Sequence, residues 1–188
     1  MIKKIVFLGP ESTGKTTLCK KLAENLKILW VPEACRLAAE EKPINPDKID
    51  FQFTLDDFQK VALHQNEMEY NCQKQSEKLL ICDNDSFALT IWCERYLGKY
   101  YKEIYKIYED AKHLNNSEKI YILTKPNVPF IQDGYRDGEH IRDWMFQRFV
   151  EELVKHKMTY YIIDSPNYDQ RYNKALEIIF EIEIIAKQ

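Results

Sequence analysis

Residues 5–18 read IVFLGPESTGKTTL, and this stretch decides the fold. Its first four residues form a continuous apolar run, which is typical of a strand buried on both faces of a parallel sheet. Gly9 ends the run, and apolar residues at helical spacing follow over Lys15–Leu26. The stretch therefore predicts a strand, a short glycine-containing loop and a helix, in that order.

The loop fits the pattern Gly-x-x-x-x-Gly-Lys-Thr, in which each fixed residue has a role in holding phosphate. Glycines let backbone N–H groups approach phosphate oxygens, and the N-terminus of the following helix adds a partial positive charge. In this pattern Lys15 contacts the β- and γ-phosphates and the Thr16 hydroxyl binds Mg²⁺. We therefore predict a nucleoside-triphosphate site rather than a turn that contains a lysine by chance. The predicted nucleotide contacts are Gly9, Glu11, Ser12, Thr13, Gly14, Lys15, Thr16 and Thr17.

The composition is that of one globular domain. The chain has 188 residues, of which 45% are hydrophobic and 30% charged, and its net charge of −3 gives no reason to expect a nucleic-acid partner. The five cysteines form no C-x-x-C pair, so we expect reduced thiols, with Cys19, Cys82 and Cys93 buried. There is no signal-peptide pattern and no apolar run long enough to span a bilayer, so we predict a soluble cytoplasmic protein with no membrane partner.

Strand-like and helical segments alternate along the chain, without repeats or flexible linkers. The five predicted strands are Ile5–Leu8, Ile28–Val31, Leu79–Cys82, Ile120–Leu123 and Tyr160–Ile163. The predicted helices are Lys15–Leu26, Phe58–Ser76, Ser86–Tyr96, Lys102–Leu114, Ile141–Lys155 and Tyr172–Ile185. This alternation predicts a single domain over residues 1–188, with a mostly parallel five-stranded sheet, helices on both faces and ligands at the carboxyl ends of the strands.

Two carboxylates follow the third predicted strand. Asp83 ends the run KLLICD, and Asp85 lies two residues further on. Since Mg²⁺ bound to a nucleotide commonly takes a carboxylate from a neighbouring strand, we predict Asp83 as a metal ligand together with Thr16. Asp85 has three open interpretations: a cap of the helix that begins near Ser86, a second metal contact, or a general base.

The segment WVPEACR, Trp30–Arg36, is the candidate acceptor site of a small-molecule kinase. Glu33 would hold an acceptor hydroxyl or take its proton, Arg36 lies one helical turn on, and Trp30 offers a surface for stacking on a flat ring. The alternatives are core packing for Trp30 and, for Glu33, a first-turn carboxylate favoured by the helix dipole. The chain has no guanine-reading Asn-Lys-x-Asp pattern, which argues against a GTPase switch.

A kinase also needs a mobile cover that neutralises the transferring phosphoryl group and excludes water. The candidate is a lid at about residues 125–143, which contains VPFIQDGYRDGEHIR. Gly134 and Gly138 would allow hinge motion, and Arg136 and Arg142 would contact phosphate oxygens. The alternative is an ordinary surface loop, but its apolar residues 129–131 are unusual for a loop with nothing to cover.

The segments GPESTGKTTL, WVPEACR, DNDSFALTIWCERYLGKYY and VPFIQDGYRD resemble, in order and spacing, the nicotinamide-riboside kinase domain of the NadR family, over roughly Lys3–Ala175. The resemblance implies a P-loop kinase fold and ATP- and Mg²⁺-dependent phosphorylation of the 5′-hydroxyl of nicotinamide riboside, giving nicotinamide mononucleotide for NAD salvage. It implies aromatic contacts to the pyridine ring from Trp30 or Trp92. It also implies contacts to the ribose hydroxyls from Glu33, Asp85 or Asp133.

The chain departs from the NadR pattern in two respects. Full-length NadR proteins carry an adenylyltransferase domain, and this activity is not expected from a chain that begins at the kinase strand. The last loop has Asp164-Ser165 where a glycine is expected, so the choice between ATP and GTP stays open. Two alternatives follow: a kinase of another nucleoside or metabolite, and a nucleotide-binding regulatory module without transfer. The tyrosine-rich run YLGKYYKEIYKIY is interpreted as core, although a homo-oligomer interface is the other possibility.

Overall fold

The computed structural model describes residues 2–40, 53–115, 117–134 and 136–185. The strands in these ranges are β1 (Ile2–Leu8), β2 (Trp30–Val31), β3 (Leu79–Asp83), β4 (Ser117–Thr124) and β5 (Tyr160–Ile163). The helices are α1 (Lys15–Leu26), α2 (Ala34–Glu40), α3 (Leu55–Gln75), α4 (Ala88–Leu97), α5 (Lys102–Asn115), α6 (Arg142–Lys155) and α7 (Tyr168–Ile185). One turn of 3₁₀-helix, Glu139–Ile141, leads into α6.

The strands form one parallel sheet in the order β2-β3-β1-β4-β5. The central strand β1 pairs with β3 and β4, and its residues 5–8 are completely buried, as the apolar run predicted. Because all strands run in one direction, their carboxyl ends share one edge of the sheet. The predicted parallel three-layer fold is confirmed.

Each face of the sheet carries its own apolar core. On one face Phe7 packs with residues of α1 and α7, among them Leu18 and Ile178; we call this the α1/α7 core. On the other face Val6 packs with residues of α2 to α6, among them Phe58 and Phe149; we call this the α2–α6 core. Successive residues of β1 alternate between the two cores, which explains why the strand is apolar throughout.

The tyrosine-rich run packs against the α2–α6 core, in agreement with the interpretation as core. The ring of Tyr108 lies 5.4 Å from that of Phe87, and the ring of Tyr105 lies 6.4 Å from it. The predicted burial of Cys19, Cys82 and Cys93 is also confirmed. Within the described ranges, no helix has the length and apolar character needed to cross a membrane.

Several element boundaries differ from those predicted. The first strand extends back to Ile2 because residues 2–4 also pair with the neighbouring strands. Lys4, a charged residue in this part of the strand, is buried in a pair with Glu69, with Nζ and Oε2 3.1 Å apart. The second strand is only Trp30–Val31, the two residues that pair with β3. The last helix begins at Tyr168, four residues earlier than predicted. Helix α2 was not predicted as a separate element.

Candidate active site

The Gly9–Thr17 loop joins β1 to α1 at the carboxyl edge of the sheet. Gly9 has a φ of 141°, and a Cβ at this position would lie 2.5 Å from Thr124 Oγ1 of β4, so only glycine fits. Gly14, with a φ of 84°, is the N-cap of α1, and no described side chain caps this helix. The N–H groups of the first turn of α1 are therefore available to an anion.

Lys15 closes the loop over the space predicted for phosphate. Its Nζ donates a hydrogen bond of 2.8 Å to the carbonyl oxygen of Pro10. Thr13 Oγ1 donates to the same carbonyl at 3.0 Å and lies 2.7 Å from Thr124 Oγ1. The loop is thus held both to itself and to the adjacent strand β4.

Thr16 and Asp83, the predicted metal ligands, are in contact. Thr16 Oγ1 donates to Asp83 Oδ2 at 2.5 Å, while Asp83 Oδ1 is buried and has no hydrogen-bond partner among the described residues. Burial raises the pKa of the Asp83 carboxyl, and Lys15 and the Thr16 hydroxyl oppose the rise. A buried carboxylate oxygen without a partner beside a hydroxyl suits the oxygen ligation of Mg²⁺, so the two residues fit this ion.

Glu33 follows β2 and lines the same cleft as Lys15 and Asp83. Burial and, secondly, the charge of Asp83 raise the pKa of the Glu33 carboxyl to about 7, whereas Lys15 and a hydrogen bond from Asn84 lower it. A carboxyl group that titrates near neutral pH is suited to exchange a proton with a hydroxyl.

A single cleft of about 420 Å³ contains most of the predicted site. Aromatic side chains of Trp30, Phe53, Trp92 and Tyr96 line its apolar part and suit a flat ring. Lys20 contributes a further cation that was not predicted, with its Nζ 5.5 Å from the centre of the Trp30 ring. The predicted residues that line the cleft are Glu11, Ser12, Thr13, Gly14, Lys15, Thr16, Thr17, Trp30, Glu33, Arg36, Asp83, Trp92 and Arg136.

Phe53 and Tyr96 were missed as aromatic members of the cleft. Tyr96 follows Trp92 by four residues on α4, and this spacing places two side chains on one face of a helix. The sequence therefore carried a signal for Tyr96. Phe53 precedes α3 and has no comparable spacing signal.

Asp85 does not belong to this cleft, contrary to the prediction of a catalytic and substrate-binding role. Its side chain is fully buried, and Oδ1 accepts a hydrogen bond from the backbone N–H of Ala88 at 3.1 Å. Oδ2 accepts from Lys119 Nζ at 2.8 Å and from the Tyr121 hydroxyl at 3.1 Å. Of the three interpretations, the hydrogen bond from Ala88, the first residue of α4, agrees with that of a helix cap.

Three further predicted residues, Gly9, Asp133 and Arg142, also lie outside the lining of the cleft. Arg142 is the first residue of α6, and its guanidinium donates to the carbonyl oxygens of Val128 at 3.0 Å and Ser12 at 3.4 Å. Burial lowers the pKa of this guanidinium. Asp133 pairs with Arg36 at 3.0 Å and with Arg136 at 3.3 Å. In this conformation Arg142 holds the loop, and Asp133 holds the two arginines that do line the cleft.

The 125–143 segment, of which residue 135 lies outside the described residues, is docked on the phosphate loop. Its Ile131 N–H donates to Ser12 Oγ at 2.7 Å, and its Gly138 N–H donates to Glu11 Oε2 at 2.9 Å. A Cβ on Gly138 would lie 3.0 Å from Glu11 Oε2 and from an Arg95 nitrogen, so this glycine permits close packing. The φ of Gly138 is −102°, a value that any residue can adopt.

Arg95, which was not predicted, joins three parts of the site. From α4 its guanidinium pairs with Glu11 Oε1 at 3.1 Å and with the carboxylate of Asp137 in the 125–143 segment. Its charge offsets the Glu11 carboxylate beside the predicted phosphate position. Little in the sequence indicated the contact between Arg95 and Glu11, because Glu11 precedes Arg95 by 84 residues.

Arg171, also not predicted, ties three loops together from the first turns of α7. Its guanidinium donates to the carbonyl oxygens of Thr13 at 2.8 Å, Lys125 at 2.7 Å and Ser165 at 2.5 Å. Only 1% of the residue is exposed, and burial lowers its pKa. Arg171 therefore fixes the loops after β4 and β5 to the phosphate loop.

Comparison with known proteins gives one family match: a family described as an AAA domain matches residues 4–171. Among curated proteins, the trifunctional NAD biosynthesis/regulator protein NadR of Salmonella typhimurium strain LT2 is 23% identical over 185 residues. The match covers 96% of this chain and 43% of NadR, so the chain spans less than half the length of that relative.

Among solved structures, NadR in complex with NR superimposes with a TM-score of 0.74 at 18% identity, covering 96% of this chain and 49% of that one. NadR in complex with NAD and AMP-PNP gives a TM-score of 0.72 at the same identity and coverage. Thymidylate kinase from Ehrlichia chaffeensis gives 0.64 at 14% identity, with 94% and 98% of the two chains covered. The resemblance to NadR and the kinase-like fold, both expected from the sequence, are confirmed.

Proposed function

The chain belongs to the AAA-domain family, and from this membership and the geometry of the cleft we propose that it is an ATP-dependent kinase of nicotinamide riboside. One observation carries the proposal: the phosphate loop and the carboxyl group of Glu33 line a single cleft that also has an aromatic wall. The relative NadR, whose solved structures contain NR in one case and NAD with AMP-PNP in another, supports this acceptor and this donor.

In the proposed reaction the Gly9–Thr17 loop holds the phosphates of ATP. The N–H groups at the start of α1 contact phosphate oxygens, and Lys15 exchanges its bond to the Pro10 carbonyl for the β- and γ-phosphates. Thr16 and Asp83 would hold Mg²⁺, which supplies charge neutralisation when it is bound with the nucleotide.

The acceptor nucleoside lies with its ring against the aromatic side chains of the cleft. Glu33 orients the 5′-hydroxyl and takes its proton as the oxygen forms a bond to the γ-phosphorus. The bond from that phosphorus to the β,γ-bridging oxygen breaks, and ADP leaves together with nicotinamide mononucleotide. Phosphoryl transfer depends mainly on alignment and charge, so the first role of Glu33 is to orient the hydroxyl.

We propose that the chain forms a single kinase domain and that its 125–143 segment is the lid. Arg136 lines the cleft and is the arginine placed to meet the transferring phosphoryl group, while Arg142 anchors the base of the segment. A bidentate guanidinium suits phosphate oxygens, and closure of such a segment excludes water.

The test is ADP release measured with ATP and a panel of acceptors: nicotinamide riboside, other nucleosides and a nucleoside monophosphate. Acceptor-dependent turnover with nicotinamide riboside is the expected result. Glu33→Gln is expected to reduce that turnover by roughly 100-fold while ATP binding is retained, because only the acceptor side loses its carboxylate. Glu67→Gln, at an exposed position on α3, is the control.

Other outcomes of the panel define the alternatives. Turnover with a different nucleoside or with a monophosphate would show that the protein is a kinase of another acceptor. The similarity to thymidylate kinase and the additional cation Lys20 favour this second candidate. Tight ATP binding without acceptor dependence for any compound would contradict the kinase proposal and leave a nucleotide-binding module.

A further inference from the structure

Asp83 ends strand β3, Asn84 and Asp85 follow it, and each of the three is directed to a different partner. Asp83 accepts a hydrogen bond from Thr16 beside the phosphate loop, and Asp85 caps α4. Between them, Asn84 Nδ2 donates a hydrogen bond of 2.5 Å to Glu33 Oε1. Asn84 is only 2% exposed and Glu33 is partly buried, so this contact is partly shielded from water.

The backbone at Asn84 accounts for the choice of residue. Its φ is 62°, in the left-handed region that asparagine and glycine adopt more readily than other residues. Its N–H donates to the Phe7 carbonyl oxygen at 3.0 Å, so the chain is still attached to β1 where it turns. Glycine would satisfy this backbone, but only asparagine also supplies a neutral side-chain donor of this length.

Glu33 is held at two points. Its successor Ala34 donates a backbone hydrogen bond of 2.8 Å to Gln65 Oε1, which fixes the start of α2 against α3. The amide of Asn84 then fixes the carboxylate through Oε1. The side chain of a glutamate has several rotatable bonds. When the backbone and Oε1 of Glu33 are both held, Oε2 is the only carboxylate oxygen left to be oriented by the other residues of the site.

We propose that Asn84 is a positioning residue that holds Glu33 in the orientation needed to receive the acceptor hydroxyl. The inference rests on the proposed kinase function. A neutral amide suits this role because it orients a carboxylate without forming the ion pair that a lysine or arginine would form. Asn84 therefore links the strand that carries Asp83 to the carboxylate on the acceptor side.

Two substitutions test this role without straining the backbone. Asn84→Gly keeps access to positive φ and removes the amide, and Asn84→Asp keeps the shape but places a second carboxylate against Glu33. For the first we expect kcat with nicotinamide riboside to fall about 10-fold, and for the second more, with the Kd for ATP within about 2-fold of the natural protein.

The double substitution Glu33→Gln, Asn84→Asp separates positioning from stability. It restores an amide-to-carboxylate hydrogen bond with the two groups exchanged, so the unfolding midpoint should recover relative to Asn84→Asp. Turnover should stay low, because the carboxylate is then at position 84 and position 33 carries an amide. Recovery of turnover together with stability would overturn the inference.

Asn66→Ala is the control for loss of a partly buried, hydrogen-bonded amide. Asn66 accepts a hydrogen bond from Ser86 at 2.6 Å and donates to the Ile107 carbonyl oxygen at 3.3 Å, away from Glu33. It should lower stability and leave kcat near that of the natural protein. If Asn66→Ala and Asn84→Gly lowered kcat equally, Asn84 would have no positioning role.

A measurement without turnover distinguishes failure of this inference from failure of the proposed function. In ¹⁵N-labelled protein the side-chain amide signal of Asn84 should shift in Glu33→Gln, because its acceptor changes from a carboxylate to an amide oxygen. An unchanged signal overturns the inference whatever the activity. A shifted signal in a protein that phosphorylates no acceptor overturns the proposed function instead.

Discussion

At Glu33, opposing influences from burial and from the neighbouring groups set the pKa of one carboxyl group. Removal from water and the nearby Asp83 favour the protonated form, while Lys15 and the Asn84 amide favour the carboxylate. The balance raises its pKa to about 7, and this residue therefore makes the folding stability of the chain depend on pH.

The sign of that dependence follows from the raised pKa. Between pH 4.5 and about 7 the folded state keeps a proton on Glu33 that the unfolded state has lost, so stability falls as pH rises through this window. The difference in unfolding free energy between the natural protein and Glu33→Gln should change by about 3 kcal/mol across it. Urea unfolding at several pH values, without nucleotide or Mg²⁺, measures this difference.

If the difference in unfolding free energy between the natural protein and Glu33→Gln stayed constant between pH 4.5 and 8, Glu33 would ionise as an exposed glutamate does. Glu67→Gln, which removes a glutamate from an exposed position on α3, serves as the control.

Single residues show where prediction from sequence stopped. Asp83 and Asp85 are two residues apart, a spacing at which side chains of an extended strand share a face. The positive φ of Asn84 breaks that alternation and turns Asp85 to Lys119. A backbone angle at one asparagine is not visible in spacing, so Asp85 was wrongly included in the cleft.

At the scale of elements, Arg95 joins the phosphate loop, α4 and the 125–143 segment. Its guanidinium carbon lies 4.4 Å from the centre of the Tyr96 ring and 5.5 Å from that of Trp92, both of which line the cleft. Desolvation lowers its pKa, but Tyr96, Glu11 and Asp137 more than offset this, so the net shift is upward.

Arg95→Leu is expected to loosen the 125–143 segment. It would leave the Glu11 and Asp137 carboxylates without their cation, at a cost of about 1–3 kcal/mol. Exchange of the Gly138 amide proton, which is bonded to Glu11, should then become at least about 10-fold faster. Hydrogen exchange followed by NMR or mass spectrometry measures this rate.

Arg148→Leu provides the comparison for the Arg95 prediction. Arg148 on α6 pairs with Glu94, Glu151 and Glu152 and makes none of the described contacts to the 125–143 segment. Its loss should lower stability without accelerating exchange at Gly138. Equal exchange rates in the two variants would contradict the role assigned to Arg95.

The elements themselves were predictable where local signals decided them. Helix α1 begins and ends at the predicted residues, because Gly14 opens it and the apolar spacing runs to Leu26. The short strand β2 was predicted too long, since its extent depends on pairing with β3 rather than on its own sequence. Arg171 was missed because its partners lie up to 158 residues away.

At the scale of the whole molecule, a group of buried charges crosses one face of the sheet. Lys4 of β1 and Lys119 of β4 each lie 3.1 Å from Glu69 of α3, and Lys119 also lies 2.8 Å from Asp85. These charges hold a helix, two strands and the loop after a third strand together. Loss of one member leaves the others buried and uncompensated.

Lys119→Met should therefore destabilise the protein by about 3–5 kcal/mol in urea unfolding, because Asp85 loses its cation and Glu69 keeps only Lys4. Lys106→Met is the matched control. Lys106 makes an exposed ion pair with Asp110 on α5, and its loss should cost less than about 1 kcal/mol. Similar losses in the two variants would show that the buried group contributes no more than a surface pair.

The overall architecture was the most predictable level. An apolar strand, a phosphate loop and alternating strands and helices allow few arrangements other than a parallel sheet with covered faces. The positions of Lys4, which is completely buried, and of Lys119, whose side chain is 9% exposed, were not predictable, because a charged residue in a strand normally marks an exposed end.

The separation of the two cores by the sheet has a consequence for divergence among related proteins. The α1/α7 core supports the helix that follows the phosphate loop, whereas the α2–α6 core supports Trp92 and the segment after β2. Changes at distant sites that share no partners add nearly independently. Mutations in the α2–α6 core can therefore alter the surroundings of Trp92 and of the segment after β2 with little effect on the packing of the helix that follows the phosphate loop.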